Sequence, residues 1–481
     1  MGIVRIVITA GLLGASVVLT VLSIVTQPFF TYAQNGPLID YTAALWAVFA
    51  LSFLTLRKVR TRAAIILIIA GSVGIGVAAM SGPPNTSTDS ARYAWDGIVQ
   101  DAGLSPYNYA ATSNFTAPLR PTWLFPTPIT NPITGVETCT GSRVMQTTEP
   151  GSTLTVCTAI NRGTARTIYP PASEILFAAV RFIVGPDAQY WPMQLVGLLI
   201  GIAITLLLIR GLVARGLNPR WAALWAWCPL WATEGVTNSH VDMLGTLFLL
   251  LAALAVSSGK PWRGGLALGV AIAAKLIPVI GAPALLRGRS WKIVVASIGI
   301  FLLLYVPYVI NSGIQVLGYL PSYLNEEGYD DGSRFALVSY LIHGNAATVV
   351  VFLILAVAAF LVWRKTDPTN PWFGEVVMIG VTLLVLSPRY PWYGLMLVPM
   401  IAMTGRWEWL TIPLAMTVRG LIPHDSLFRE AEVVAIVVII VATALRAGPG
   451  WPRRALHELA HPWRAPVPAE RLPVASPSLE R

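Results

Sequence analysis

The chain has 481 residues, 55% hydrophobic and 12% charged, with a formal net charge of +10 and a mean hydropathy of +0.65. A soluble domain carries about 25% charged residues, so the composition excludes an ordinary globular protein. Nucleic acid is excluded as a partner too, because the basic residues lie in short clusters between apolar blocks, as cytoplasmic loops do under the positive-inside rule. Examples are Arg57, Lys58, Arg60 and Arg62, then Arg210, Arg215 and Arg220, then Arg364 and Lys365.

A bilayer core of about 30 Å needs around 20 residues of helix. Blocks of that kind predict helices over 4–26, 40–56, 62–80, 190–209, 221–236, 243–258, 264–286, 291–310, 346–363, 373–388, 392–405, 408–422 and 430–446. The first, with Arg5 at its start, is too long for a signal peptide and lacks a small-x-small cleavage site, so it reads as a retained anchor. The block 264–286 is interrupted by Lys275, Pro278, Gly281 and Pro283 and reads as a short up-and-down pair. The fold class is therefore an all-α polytopic membrane protein with about 12–14 transmembrane helices. Broken helices at that depth are tolerated where they line a cavity.

With the N-terminus inside, inside segments hold 22 of the 33 Lys and Arg and only 6 of the 23 Asp and Glu. The stretch from Ala172 to Val184 is apolar, but a span there would push Arg210, Arg215 and Arg220 outside. It reads instead as an amphipathic helix at the outer interface. Residues 1–446 then form the transmembrane domain, with a first extracytoplasmic segment over 81–189 and a second outer loop over 311–345. Residues 447–481 form a Pro- and Arg-rich tail, expected to be cytoplasmic and poorly ordered. The expected location is the cell membrane, multi-pass, with both termini cytoplasmic and the active site outside. No internal repeat is visible, which weighs against transporter folds built from inverted halves.

The first outer segment concentrates the chemistry. Asp89 opens it nine residues beyond Met80, and Asp96 follows seven residues later in Arg92-Tyr93-Ala94-Trp95-Asp96-Gly97. Gly103-Leu104-Ser105-Pro106-Tyr107, Leu119-Arg120 and Thr167-Ile168-Tyr169-Pro170-Pro171 come after. Interfacial Trp and Tyr anchor any membrane protein, but two carboxylates interleaved with Arg and aromatics ask for more. In the same segment Cys139 and Cys157 lie 18 positions apart. Outside the cytoplasm they can pair as a disulfide, with two free thiols as the alternative. Cys228, in an apolar block, reads as a packed thiol.

These motifs, in this order, resemble the membrane glycosyltransferases of the GT-C superfamily, in particular the bacterial polyprenyl-phosphate-mannose-dependent branch. The resemblance is strong from Asp89 to Pro171. It is weaker over Asn238-Ser239-His240-Val241-Asp242, Lys275-Leu276-Ile277-Pro278 and Ser387-Pro388-Arg389-Tyr390-Pro391-Trp392-Tyr393. Where that family often has an acidic pair this chain has Thr88-Asp89, and the loop with Cys139 and Cys157 looks inserted.

The resemblance implies a GT-C fold with interfacial helices on a long outer loop. The implied reaction moves a sugar from polyprenyl phosphate to an extracytoplasmic glycolipid or polysaccharide, with inversion. Mannose comes first and arabinofuranose second; membrane lipids are the remaining partners. Such a donor is already activated, so neither a cofactor nor a metal is expected.

A carboxylate near the acceptor hydroxyl can take its proton, and a cation can stabilise the departing phosphate. Asp89 is the candidate base by the resemblance; by position alone Asp96 is as eligible, or, in a Trp95-Asp96-Gly97 turn, it caps or braces the loop. Lys275, an ionisable residue amid apolar sequence, and Arg389 are candidates for donor phosphate. His240 and Asp242 either line the acceptor cavity or cap a helix. Arg92 and Arg120 either touch phosphate or brace the loop, and Tyr93 and Tyr169 complete the substrate-binding set.

Glu326, Glu327, Asp330 and Asp331 read as a solvated loop face, with a divalent-cation site as the alternative. His457-Glu458-Leu459-Ala460-His461 fits a zinc-protease pattern, but Pro462 follows at once and a third ligand is missing. Outside glycosyl transfer, the competing class is a lipid or solute transporter or flippase, which would share the helices and Lys275.

Overall fold

A computed structural model describes residues 2–454 apart from 28, 32–34, 149–150, 152, 289, 330–331, 333 and 423. Three helices open the chain, α1 (Gly2–Val25), α2 (Gly36–Leu56) and α3 (Thr61–Ala78). The long segment after them holds α4 (Asp89–Asp101), strands β1 (Ile129–Thr130), β2 (Glu137–Thr138), β3 (Met145–Thr148) and β4 (Thr155–Thr158), and α5 (Pro171–Val184). Next come α6 (Trp191–Ala214), α7 (Ala223–Ala226), a π-helix (Trp231–Thr237), α8 (Asp242–Ser257), α9 (Pro261–Ala274) and α10 (Ala282–Leu285). The rest is α11 (Ser290–Ser312), α12 (Leu320–Glu326), α13 (Asn345–Lys365), α14 (Trp372–Leu386), α15 (Leu397–Thr404), α16 (Thr411–Leu421) and α17 (Asp425–Ala447). The chain is an all-α polytopic membrane protein.

Among the described residues, six stretches are long and apolar enough to cross a bilayer: α1, α2, α3, α6, the run Ser290–Glu326 that opens with α11, and α13. The π-helix and α8, bent by 118° at the break between them, make up to a seventh. The sequence predicts twelve to fourteen spans because its apolar blocks are nearly continuous there, but several of them form short or broken helices. The stretch 264–286 is one of these. Its α9 ends at Ala274, Lys275 is extended (φ −151°, ψ 134°), and Pro278 cannot continue a helix because it lacks an N–H. Ser173 Oγ donates to the carbonyl of Ala274 at 2.6 Å, satisfying one acceptor that the break leaves open.

The long segment after α3 has its own core, in which Trp95, Ile98, Val99, Leu124 and Ile160 pack together. The strands form two antiparallel two-stranded ribbons, and Cys139 and Cys157 are disulfide-bonded with Cα atoms 5.4 Å apart. Residues 172–184 are helical within α5, as expected. One expectation is corrected. Trp95-Asp96-Gly97 is not a turn but lies inside α4, and the glycine serves packing. A Cβ on Gly97 would stand 2.4 Å from the carbonyl oxygen of Phe177 on α5. Gly97→Val should therefore force α4 off α5 and cost roughly 1–3 kcal/mol, as overpacking does, read as a lowered unfolding midpoint in detergent.

Candidate active site

Asp89 is the first residue of α4, so its carboxylate lies at the positive end of the helix dipole, where anions are favoured. Asn161 Nδ2 donates to Oδ1 at 2.7 Å, and the Asp89 N–H donates to Ser87 Oγ at 3.2 Å. The side chain remains 16% exposed, opening on a cavity of about 970 Å³. Arg and Lys outnumber carboxylates on its wall seven to two, the carboxylates being Asp89 and Glu234. Apolar patches complete the wall, Ile24, Leu38, Leu45 and Trp46 on one side and Ile277, Ile280 and Leu383 on another. A cationic cavity with apolar flanks suits an anionic headgroup carrying a lipid tail.

Lys275 reaches this cavity from the break after α9. Its Nζ lies 3.0 Å from Asp242 Oδ2 and over the rings of Tyr169 and Tyr393, at 5.4 and 5.6 Å. Those two rings and the carboxylate hold the ammonium while leaving it 18% exposed. Arg389 is exposed on the cavity wall, in a loop that starts at Ser387 in the left-handed region (φ 44°). In the same loop Tyr390 stacks on Trp392 at 4.5 Å, and Trp392 stacks on His240 at 3.8 Å.

The predicted residues divide by position. Asp89, Arg92, Tyr169, Lys275 and Arg389 share the cavity. Arg92 also donates from Nη2 to the carbonyls of Asn161 and Arg162, at 3.1 and 2.8 Å, which fixes the turn after β4 that carries Asn161 to α4. His240 and Asp242 are buried just behind the wall, as partners of Asp89 and Lys275 respectively. Tyr93 is buried against Phe177, ring centroids 4.5 Å apart, and Arg120 donates to the carbonyls of Ala111 and Ser113. Neither lines the cavity. Among the acidic cluster, Glu326 is exposed and pairs with Arg162 at 2.8 Å, whereas Glu327 is buried against Arg334 at 2.6 Å and so is not part of a solvated face. Asp330, Asp331 and the run His457–His461 lie outside the described residues, and no metal-holding group of His, Cys, Asp or Glu occurs among the described ones.

Asp96 lies away from the cavity, 1% exposed, in a pocket shared with Glu174 and Thr167. Thr167 Oγ1 donates to Glu174 Oε1 at 2.6 Å, and Gln100 Nε2 donates to Glu174 Oε2 at 2.8 Å. Burial pushes the Asp96 carboxyl from 3.8 up to about 6, and burial together with the Asp96 charge pushes Glu174 well above its ordinary value. A raised carboxyl stabilises the fold fully below its unfolded value and loses that contribution as pH rises through the folded one. The unfolding midpoint should thus fall as pH is raised from about 4 through 6, and Asp96→Asn should flatten that slope.

Several wall residues escaped the sequence reading, Glu234, Arg166 and Asn161 among them. Glu234 is a lone carboxylate in an apolar block, the same signal that singles out Lys275. Arg166 stands one residue before Thr167-Ile168-Tyr169, and Asn161 carries no sequence signal at all.

This is the architecture of a membrane protein with a cationic site flanked by apolar residues, and comparisons with known proteins show what it is similar to. Residues 167–388 match the model of Glycosyltransferase family 87, a GT-C family, which bears out the resemblance read from the motifs. The match takes in Lys275 and the Asn238–Asp242 run, which the sequence reading ranked weaker, and leaves Asp89 outside it. At the level of particular proteins, the chain is 25% identical over 260 residues to a polyprenol-phosphate-mannose-dependent alpha-(1-2)-phosphatidylinositol pentamannoside mannosyltransferase of Mycolicibacterium smegmatis, covering 52% of this chain and 60% of that one. It is 26% identical over 259 residues to the Mycobacterium tuberculosis protein of the same name, covering 51% and 56%. The chain thus spans well under two thirds of either relative. No solved structure matches.

Proposed function

We propose that the protein transfers a sugar, mannose in the first place, from a polyprenyl-phosphate donor to a hydroxyl of a cell-envelope glycolipid or polysaccharide outside the cytoplasm. The observation that carries this reading is one cavity holding a partly exposed carboxylate, Asp89, together with Lys275 and Arg389, between apolar patches. The family match and the relatives' names support the reaction class and the mannosyl donor. The distribution of basic residues supports cytoplasmic termini and an outer site.

In this mechanism Asp89 takes the acceptor hydroxyl's proton as the oxygen attacks the anomeric carbon. The bond from that carbon to the phosphate oxygen breaks, and the electron pair leaves with the phosphate. Attack opposite the phosphate inverts the configuration. Lys275 and Arg389 meet the negative charge that grows on the leaving phosphate, an effect worth most in a site shielded from water.

The test is reconstitution into liposomes with radiolabelled polyprenyl-phosphate mannose and a membrane lipid extract. Label should move from donor to acceptor. If no donor is consumed the transfer reading fails, and transport becomes the function to pursue.

A further inference from the structure

His240 takes no part in the transfer step above, yet its ring is wholly buried beside Asp89. Nδ1 lies 3.1 Å from the main-chain oxygen of Glu234 and 3.1 Å from its Oε2. Two acceptors converge there, so Nδ1 carries a hydrogen, and in the neutral form of the ring the lone pair stands at Nε2. Nε2 is 3.2 Å from Ser87 Oγ, the atom that accepts the Asp89 N–H, and 3.9 Å from Asp89 Oδ2. The ring plane is fixed by Trp392, stacked at 3.8 Å.

The backbone around the ring is fixed as well. Ser239 sits in the left-handed region (φ 58°), a conformation a non-glycine residue keeps only where its surroundings impose it. Those surroundings are visible in Asn238. Its Oδ1 accepts from the N–H groups of Asn85 and Thr86 at 3.2 and 3.1 Å, and its Nδ2 donates to Thr86 Oγ1 at 2.6 Å. The turn that carries His240 is thereby fastened to the segment that leads into Asp89. Glu234 is brought up by the π-helix, which α6 can approach because Gly197 has no Cβ; one there would lie 1.9 Å from the Gly235 carbonyl oxygen.

We infer that His240 and Glu234 form a positioning and proton-relay pair behind Asp89. The inference rests on Asp89 being the base. The acceptor's proton goes first to Asp89. It then passes from Oδ2 to Nε2 of His240, 3.9 Å away, as the protonated carboxyl turns its O–H onto the ring's lone pair. The imidazolium that results faces the Glu234 carboxylate, as a carboxylate stabilises imidazolium in hydrolase triads. Glu234 also lines the cavity, which gives the proton a way out and returns Asp89 to its anionic form. The other charged groups nearby are the Asp242–Lys275 pair, two residues further along the chain. The hydroxyl of Tyr93, at 3.5 Å, meets the Val241 N–H.

His240→Gln and Glu234→Gln in the reconstituted assay test this. The Gln at 234 keeps an oxygen to accept from Nδ1 and so keeps the ring oriented, but it removes the charge opposite the imidazolium. Each variant should lower kcat about 10–100-fold, as loss of outer-shell hydrogen-bond partners does at metal sites. KM for the donor should stay within about twofold, since neither residue is placed on the phosphate. The solvent deuterium isotope effect on kcat should rise in both as proton transfer becomes limiting. A wild-type kcat in Glu234→Gln overturns the relay, and so does a loss confined to KM. If Asp89→Asn is inactive while both Gln variants are fully active, only the relay is wrong. If Asp89→Asn is itself active, the reading of Asp89 as base fails as well.

Discussion

Asp89→Asn is expected to lower kcat for sugar transfer by about 10²-fold or more, the range in which a positioned general base contributes, with little change in donor KM. The substitution is nearly isosteric. Its amide oxygen can still accept from Asn161 Nδ2, which lies 2.7 Å from Oδ1 in the wild type, and the backbone bond to Ser87 is untouched. What disappears is the lone pair of an anion at the positive end of α4 and the capacity to hold a proton. Initial rates in proteoliposomes measure the effect, with Asp96→Asn run beside it. The second carboxylate faces Glu174 and Thr167 rather than the cavity, so its variant should transfer at close to the wild-type rate. Full transfer by Asp89→Asn with loss in Asp96→Asn would reverse the two assignments.

That choice marks how far the sequence could be read. Asp89 and Asp96 are seven residues apart, and nothing in their neighbours says that a helix starts at one and buries the other. The helix was hidden because Arg92-Tyr93-Ala94-Trp95-Asp96-Gly97 ends in a residue pair that usually marks a turn. Here the glycine is needed because the Phe177 carbonyl of α5 occupies the space of a Cβ, a tertiary reason with no local signature. The break at Lys275 was legible, because proline and an ionisable side chain both punctuate an apolar block. Glu234 offered the same signal and was passed over, whereas Asn161 lies 72 positions from the carboxylate it holds and could be found only by folding the chain. The long apolar helices and the positive-inside pattern were legible for a simpler reason: they depend on residue type summed over many positions, while the site depends on single contacts across the fold.

Lys275→Met is the second change with a large expected effect, and the question it raises is which of two jobs the lysine does. Its Nζ is paired at 3.0 Å with Asp242, whose side chain is 2% exposed. Removing one partner of a buried pair strands the other charge and costs about 3–5 kcal/mol, so the unfolding midpoint in detergent should drop. Activity would fall with it even if the lysine never met a phosphate. Asp242→Asn added to Lys275→Met removes the stranded charge, and most of the lost stability should return. If the ammonium also binds the donor's phosphate, transfer does not return with it, and the double variant folds normally with donor KM raised about tenfold or more. The size follows from the strength of a charge-assisted hydrogen bond, about 1.5–3 kcal/mol. Recovery of both stability and transfer in the double variant would make Lys275 a structural partner of Asp242. Binding of the phosphate would then fall to Arg389 and the other cations on the cavity wall.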